Sequence, residues 1–240
     1  MRLSVDCGGV CGPLHVHALD SAPAVSRDAY AARTWPAAVF LASLVCADPT
    51  MVRDLRVLEL GCGNGLCALA AARAGARSAL ATDYSPLAID LVERAAADAD
   101  VGDILSASNF DFASPMPAAA VISSRSRASR IAPSAATMPP HDVLLAADVG
   151  YSPSLAWRLG ERCGHSLRAG ARVLVAESRQ MPMCRRAFSE ALNLGRTDAE
   201  PLRLSAADAA VPALAQAGFA EVAVGGDDDA PMWVLDARDG

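Results

Sequence analysis

A short glycine-rich segment is the feature of this sequence whose spacing most directly predicts chemistry. Three glycines stand at alternate positions, Gly61, Gly63 and Gly65. An apolar run precedes them and a helical pattern over 66–74 follows, so the segment is predicted to turn from a strand into a helix. The peptide N–H groups of such a turn point beyond the carboxyl end of the strand, where they bind polar groups of a ligand.

Two carboxylates flank this loop. Glu59 lies two residues before Gly61, and Asp83 closes the next predicted strand, 22 residues after Gly61. A carboxylate at the position of Asp83 accepts both hydroxyls of a ribose. The spacing and charge therefore predict a nucleoside-containing cofactor, with a ligand-free glycine turn as the alternative.

The type of cofactor follows from the same residues. A dinucleotide fingerprint needs its third glycine at position 66, which is a leucine here. The negative charge of Glu59 repels a pyrophosphate and attracts an amino group. S-adenosylmethionine carries both an ammonium and a sulfonium, whereas NAD carries neither. The prediction is S-adenosylmethionine.

Strand and helix patterns alternate on both sides of the loop. Apolar runs typical of strands covered on both faces lie at 56–60, 78–83, 142–148 and 172–177. Two more strands, at 220–224 and 232–237, are joined by a link too short for a parallel return, so they form a hairpin. The predicted fold is α/β, doubly wound and Rossmann-like, with a seven-stranded sheet that is mostly parallel and has a C-terminal antiparallel hairpin.

The chain of 240 residues suffices for one sizeable domain. We predict this domain over residues 30–240, with residues 1–29 as an N-terminal extension packed on it. The segment 113–140 is rich in Ala, Ser and Pro and has no acidic residue, so it is predicted to be a flexible insertion. It is either a solvated loop or a substrate-docking arm.

Charge and cysteine content limit the partners. The net charge of -6 argues against nucleic acid, because binding to phosphates needs clustered cations. No run of about 18 uncharged apolar residues predicts a membrane span. Seven scattered cysteines without a secretory pattern predict reduced thiols and a cytoplasmic location, with the nucleus or an organelle as alternatives. The set Cys7, Cys11, His15 and His17 matches no zinc spacing, so no metal is predicted.

Together the motifs resemble the class I S-adenosylmethionine-dependent methyltransferases over most of residues 30–237. Within them, the chain is similar to the protein-lysine methyltransferases of methyltransferase family 16, related to the METTL twenty-one group. The segments that carry this likeness are Thr34-Trp35-Pro36-Ala37-Ala38, Ala147-Asp148-Val149-Gly150-Tyr151 and Glu177-Ser178-Arg179. The methyltransferase of the electron-transfer flavoprotein β subunit has a similar arrangement around the Trp-Pro segment.

The resemblance implies site residues. Trp35 is expected at the cofactor pocket, with core packing as its alternative. Phe110 or Phe112 stands where the family commonly has a tryptophan near the adenine, and both also suit a core. The predicted cofactor-binding residues are Trp35, Glu59, Gly61, Gly63, Asp83, Tyr84, Phe110 and Ala147.

Asp148 and Tyr151 are the predicted catalytic residues. In-line methyl transfer requires the protein to align the nucleophile and to exclude water. A lysine acceptor must also lose a proton, since its ordinary pKa is about 10.4. Asp148 is expected to orient the amine or the polar end of the cofactor, and Tyr151 to line the acceptor channel. Alternatively, Asp148 caps the next helix and Tyr151 begins it.

The expected activity is methyl transfer to a lysine side chain of a protein substrate. A small-molecule N- or O-methyltransferase is the first alternative, because it shares the cofactor half of the site. A non-catalytic binding module with this fold, or an enzyme with an arginine acceptor, is the second. The sequence carries no signal for the oligomeric state.

Overall fold

Strands and helices alternate along the chain in the computed structural model, which describes residues 1–19, 30–115, 138–178, 181–194, 205–206 and 233–237. The elements, in chain order, are β1 Arg2–Asp6, β2 Pro13–His17, α1 Pro36–Ala47, β3 Arg56–Leu60, α2 Leu66–Arg73, β4 Ser78–Asp83, α3 Pro86–Asp98, β5 Leu105–Asn109, β6 Val143–Ala147, α4 Pro153–Arg168, β7 Arg172–Glu177, α5 Pro182–Leu192, β8 Ser205–Ala206 and β9 Trp233–Ala237. Most of the predicted insertion, residues 116–137, lies outside the described residues, as does Arg179.

The main sheet has the strand order β5-β4-β3-β6-β7-β9-β8. Strands β3 to β7 are parallel, and β9 is antiparallel to β7. The chain winds outward from β3 to β5 and then returns to place β6 on the other side of β3. This reversal opens a crevice at the carboxyl ends of β3 and β6. The doubly wound α/β fold and the antiparallel ending are confirmed.

The sheet reaches the predicted seven strands only when the very short strand β8 is counted. The described sheet has six strands of five or six residues, and β8 adds only a two-residue pairing, Ser205–Ala206, beside β9. Two residues are too few to produce a recognisable sequence pattern. The strand predicted at 220–224 lies outside the described residues.

Helices cover both faces of the sheet and explain the continuous apolar runs. All five residues of β6 are buried. Val143 and Leu145 pack in the core on the side of α1, α2 and α3, whereas Leu144 and Ala146 pack in the core on the side of α4 and α5. This alternation fixes the register of the strand, because a shift by one residue would exchange the two faces. It also fixes which side chains emerge where each strand ends.

The N-terminal hairpin of β1 and β2 packs on the helical layer. Leu14 and Val16 of β2 are buried in the core with residues of α2 and α3. At the edge, His17 Nε2 lies 3.0 Å from Asp98 Oδ2 at the end of α3. Burial of apolar side chains therefore helps to fix the hairpin against the domain.

The prediction of reduced thiols is wrong for one pair of cysteines. Cys11, in the turn of the N-terminal hairpin, forms a disulfide with Cys46 near the end of α1. The other five cysteines are free and buried. The fold brings residues 11 and 46 together although 35 positions separate them, a proximity that their spacing does not indicate.

In the part of the chain that the structure describes, no cluster of three side chains could hold a metal ion. None of the described helices is long and apolar enough to cross a bilayer.

Candidate active site

A cleft of about 650 Å³ opens where the parallel strands end. It contains every residue that the sequence predicted for the cofactor and for catalysis. These are Trp35, Glu59, Gly61, Gly63, Asp83, Tyr84, Phe110, Ala147, Asp148 and Tyr151. The prediction of site residues omitted Tyr30, Arg33, Glu177 and Met181, which also line the cleft. Glu177 could have been found by the signal that identified Asp83, a carboxylate that closes an apolar strand.

The glycine loop forms the floor of the cleft between β3 and α2. Gly61 has φ 65°, and a Cβ at this position would lie 2.5 Å from Val149 Cγ1. Both the left-handed backbone and this close approach require glycine. The amide of Cys62 donates to Thr82 O at 2.9 Å, so the loop is also held to the end of β4.

Asp83 lies at the end of β4 with its carboxylate fixed by two amides. Gly63 N donates to Oδ2 at 3.0 Å, and Ser85 N donates to Oδ1 at 2.9 Å. The side chain is buried, and this burial raises its pKa against the effect of the amides of Ser85, Gly63 and Tyr84. Each carboxylate oxygen has a second lone pair. Asp83 can therefore accept the hydroxyls of a ribose while it holds the loop.

Glu59 lies beneath the loop and is only 2% exposed. Its Oε2 accepts the N–H of Ala68 in the first turn of α2 at 2.9 Å, a favourable position for an acid at a helix N-terminus. Burial, opposed by this hydrogen bond, raises the pKa of Glu59 to about 8. Glu59 therefore supports the helix as well as lining the cleft, and a cation in the cleft would favour its charged form.

Trp35 belongs to the wall of the cleft. It lies at the N-cap of α1 and is half-buried, so it is not part of the core. Its Nε1 donates to Tyr30 O at 3.2 Å, and the two rings stack with centroids 5.9 Å apart. The guanidinium of Arg33 lies 4.7 Å from the centre of the Trp35 ring. The wall is thus a preformed aromatic surface.

Phe110 and Phe112 lie where the core meets the cleft. Both are buried in the core that lies on the side of α4, and both line the cleft. Arg162 of α4 lies beneath them and is fully buried. Its Nε donates to Phe112 O at 3.2 Å, and one Nη donates to Ser114 O at 2.7 Å. The guanidinium also lies 5.3 Å from the centre of the Phe110 ring.

Replacing Arg162 with methionine is expected to weaken binding of S-adenosylmethionine about tenfold, with kcat changed less than threefold. Methionine fills the apolar space but leaves the carbonyls of Phe112 and Ser114 without these donors, which costs about 2 kcal/mol. Calorimetric titration and steady-state kinetics measure the two quantities. Arg158→Met is the matched control, because Arg158 on the same helix makes only a partly exposed pair with Glu161. Unchanged affinity in Arg162→Met would show that Phe110 and Phe112 need no support from Arg162 of α4 to bind the cofactor.

Asp148 connects three elements at the end of β6. Its Oδ2 accepts the N–H of Ala37 at 3.0 Å, in the first turn of α1. Its Oδ1 accepts the N–H of Ser178 at 2.7 Å, and the Ser178 hydroxyl lies 2.8 Å from both oxygens. The backbone of Asp148 is left-handed, with φ 55°, a conformation that aspartate tolerates better than most residues. Its carboxylate is therefore fixed by the protein itself.

The alternative in which Asp148 caps α4 and Tyr151 begins it is wrong. Ser152 is the N-cap of α4, and its Oγ accepts the N–H of Leu155 at 3.3 Å. Tyr151 lies before the cap, is 55% exposed and lines the cleft. The helix that Asp148 contacts is α1, whose proximity depends on the tertiary fold.

Glu177 ends β7 and is buried opposite the turn that follows β6. Its Oε1 accepts the N–H groups of Val149 at 3.0 Å and Gly150 at 2.7 Å. Burial, and secondly the charge of Asp148, raise the pKa of Glu177 to about 8. Asp148 binds the amide after β7 while Glu177 binds the amides after β6, so the two acids hold the two strand ends together.

The charge of the cleft fits a cationic ligand. Of the described residues that line it, five are acids, namely Glu59, Asp83, Asp111, Asp148 and Glu177, whereas Arg33 is the single arginine. The volume lies within the range of small-molecule sites. Backbone amides at the loop, a ribose acceptor at Asp83 and an acidic interior suit S-adenosylmethionine, whose ammonium and sulfonium are both positive.

Comparisons with known proteins agree with this geometry. The family model described as ribosomal protein L11 methyltransferase (PrmA) matches residues 42–119. The electron transfer flavoprotein beta subunit lysine methyltransferase of Xenopus laevis is 44% identical over 61 residues, which are 25% of this chain and 25% of that protein. The chain thus aligns with a quarter of this relative.

Two solved structures illustrate the structural neighbours. TrmN from Thermus thermophilus is 21% identical, with a TM-score of 0.48, over 73% of this chain and 47% of that one. The ribosomal protein L11 methylase from Lactobacillus delbrueckii subsp. bulgaricus is 17% identical, with a TM-score of 0.47, over 83% and 77%.

The family match covers the glycine loop, Asp83 and the aromatic wall at Phe110 and Phe112. These are the parts of the cleft that fit S-adenosylmethionine, and they lie on a doubly wound sheet. Over this part of its length the chain is similar to the class I S-adenosylmethionine-dependent methyltransferases.

Proposed function

We propose that this protein transfers a methyl group from S-adenosylmethionine to a lysine side chain of a protein substrate. The observation that carries the proposal is the acidic cleft at the switch point of the sheet, with Glu59 and Asp83 on either side of the glycine loop. The lysine methyltransferase named among the relatives supports this acceptor. The substrate and the methyl donor both bring positive charge into the same acidic space.

The residues of the cleft divide between the two reactants. Bound S-adenosylmethionine supplies a methyl group activated by the sulfonium. Asp83 accepts the ribose hydroxyls and Glu59 attracts the amino group, while Trp35, Tyr84 and Phe110 exclude water from the cofactor. Ala147 ends β6 and lines the cleft next to Asp148, which we assign to the acceptor. The protein contributes alignment and exclusion of water, which are the main requirements of an in-line displacement.

The rim of the cleft favours a cationic acceptor. All three tyrosines of the chain line the cleft, and each is exposed, Tyr30 by 58%, Tyr84 by 43% and Tyr151 by 55%. Aromatic faces attract ammonium groups, by about 0.5–1 kcal/mol each at exposed sites. A lysine side chain is long enough to pass such a rim, and its charge matches the acids inside. A neutral hydroxyl acceptor gains nothing from this charge.

Incubation with isotopically labelled S-adenosylmethionine and a cell lysate tests the proposal. We expect labelled protein bands, and mass spectrometry of those bands should place the methyl group on a lysine. The Asp83→Ala variant is the control, because loss of the ribose acceptor should remove the label. Label confined to small metabolites would support the small-molecule alternative, and label on arginine would correct the acceptor.

A further inference from the structure

Glu177 has one carboxylate oxygen occupied by the backbone and one without a donor. It is 4% exposed and lines the cleft. The amides of Val149 and Gly150 both donate to Oε1, at 3.0 and 2.7 Å. Among the residues that the structure describes, no hydrogen-bond donor contacts Oε2. The side chain is therefore held in one orientation and keeps an oxygen for a ligand.

Asp148, the other acid at this end of the cleft, is already engaged. Its Oδ1 receives the amide and the hydroxyl of Ser178, and its Oδ2 receives the amide of Ala37 and the same hydroxyl. Donors of the protein itself therefore already occupy both oxygens of Asp148. At the ends of β6 and β7, Glu177 is thus the carboxylate with the better geometry for accepting a proton from a ligand.

We propose that Glu177 is a catalytic residue that takes the proton from the acceptor ammonium, an inference that rests on the proposed lysine methylation. The proton moves from the ammonium nitrogen to Glu177 Oε2, where an O–H bond forms. The electron pair of the broken N–H bond stays on nitrogen as the lone pair that receives the methyl group. Glu177 releases this proton to water when the next cationic ligand enters the cleft.

The electrostatic surroundings suit this task. Burial and the charge of Asp148 place the pKa of Glu177 at about 8, between an ordinary carboxylate and a lysine. Glu177 also interacts with Cys184 of α5, whose pKa is raised by its own burial and by the charge of Glu177. Tyr151 lines the same cleft. The empty cleft therefore holds a proton on Glu177 at pH 7. An entering cation favours release of that proton and readies the carboxylate.

Glu177→Gln tests the proton transfer with little change in structure. The amide oxygen of glutamine can still accept from Val149 and Gly150, so binding of S-adenosylmethionine should stay within twofold of the original. We expect kcat on the labelled protein substrate to fall about 100-fold at pH 8. The deficit should shrink to less than tenfold at pH 10, where the amine loses its proton without help. Glu190→Gln, on the exposed face of α5, is the control and should leave kcat unchanged.

A second measurement does not depend on turnover. The protein saturated with S-adenosylhomocysteine is titrated with n-butylamine, a probe with the acceptor group of lysine, and we expect at least tenfold weaker binding to Glu177→Gln. Equal butylamine affinity, a kcat within threefold of the original at pH 8, or a deficit that is constant from pH 8 to 10 would overturn the proposal. If the original protein labels no lysine, lysine methylation itself fails, and the butylamine titration still decides whether Glu177 holds an ammonium.

Discussion

Asp148→Ala is expected to lower methylation at least 100-fold and also to destabilise the fold. Alanine leaves the amides of Ala37 and Ser178 without their acceptor, and two such losses cost about 2–4 kcal/mol. It also places an alanine at φ 55°, which aspartate tolerates better. Activity falls because the start of α1, next to Trp35, and the end of β7, next to Glu177, are no longer held in place.

Thermal unfolding and kcat measured on the same preparations check this prediction. Asp142→Ala is the control, because Asp142 precedes β6 and pairs with Arg56 at the opposite edge of the sheet. It should lose less stability and keep its activity. An Asp148→Ala protein with the original melting temperature would show that the contacts of Asp148 with α1 and β7 do not matter for stability.

Glu59→Gln is expected to weaken binding of S-adenosylmethionine at least tenfold at pH 8 and to remove most of its pH dependence. In the empty protein the pKa of Glu59 is about 8, so its charged form grows as the pH rises through this value. A cationic ligand binds the charged form better, and binding therefore releases a proton. Affinity of the original protein should rise from pH 6 to pH 9. Glutamine can still accept from Ala68, so α2 should be preserved.

Calorimetric titrations in two buffers of different ionisation enthalpy measure both the affinity and the released protons. The stability of the empty protein should change with pH in the opposite direction to the affinity for S-adenosylmethionine. Because folding raises the pKa of Glu59 from 4.5 to about 8, the folded state binds the extra proton between these values, and stability falls as the pH rises through this window. Glu59→Gln should reduce that slope, and Glu177 should account for a similar part of it. Binding that shows the same pH dependence in both proteins would remove Glu59 from cofactor recognition.

Much of the cofactor half could be predicted because its residues are local in sequence. Gly61, Gly63 and Asp83 lie at the ends of two adjacent parallel strands, and strand ends that share a sheet edge bring their side chains together. Strand β8 could not be predicted, because its two residues carry no pattern. Arg162 could not be identified, because an arginine in an amphipathic helix usually lies at the surface, whereas here it is buried under Phe110.

The sequence by itself determined the alternation of strands and helices around the glycine turn, the turn itself and the acids at or near the ends of β3, β4 and β7, because each depends on the chain within a few residues. Only the tertiary structure decided what those acids contact. Asp148 meets Ala37 across 111 positions, and Glu177 meets Gly150 across 27, because the crossover of β6 next to β3 and β7 brings these strand ends together. Hydrogen bonds between distant segments depend on packing, so no spacing in the sequence specifies that the protein occupies both oxygens of Asp148 but only one oxygen of Glu177.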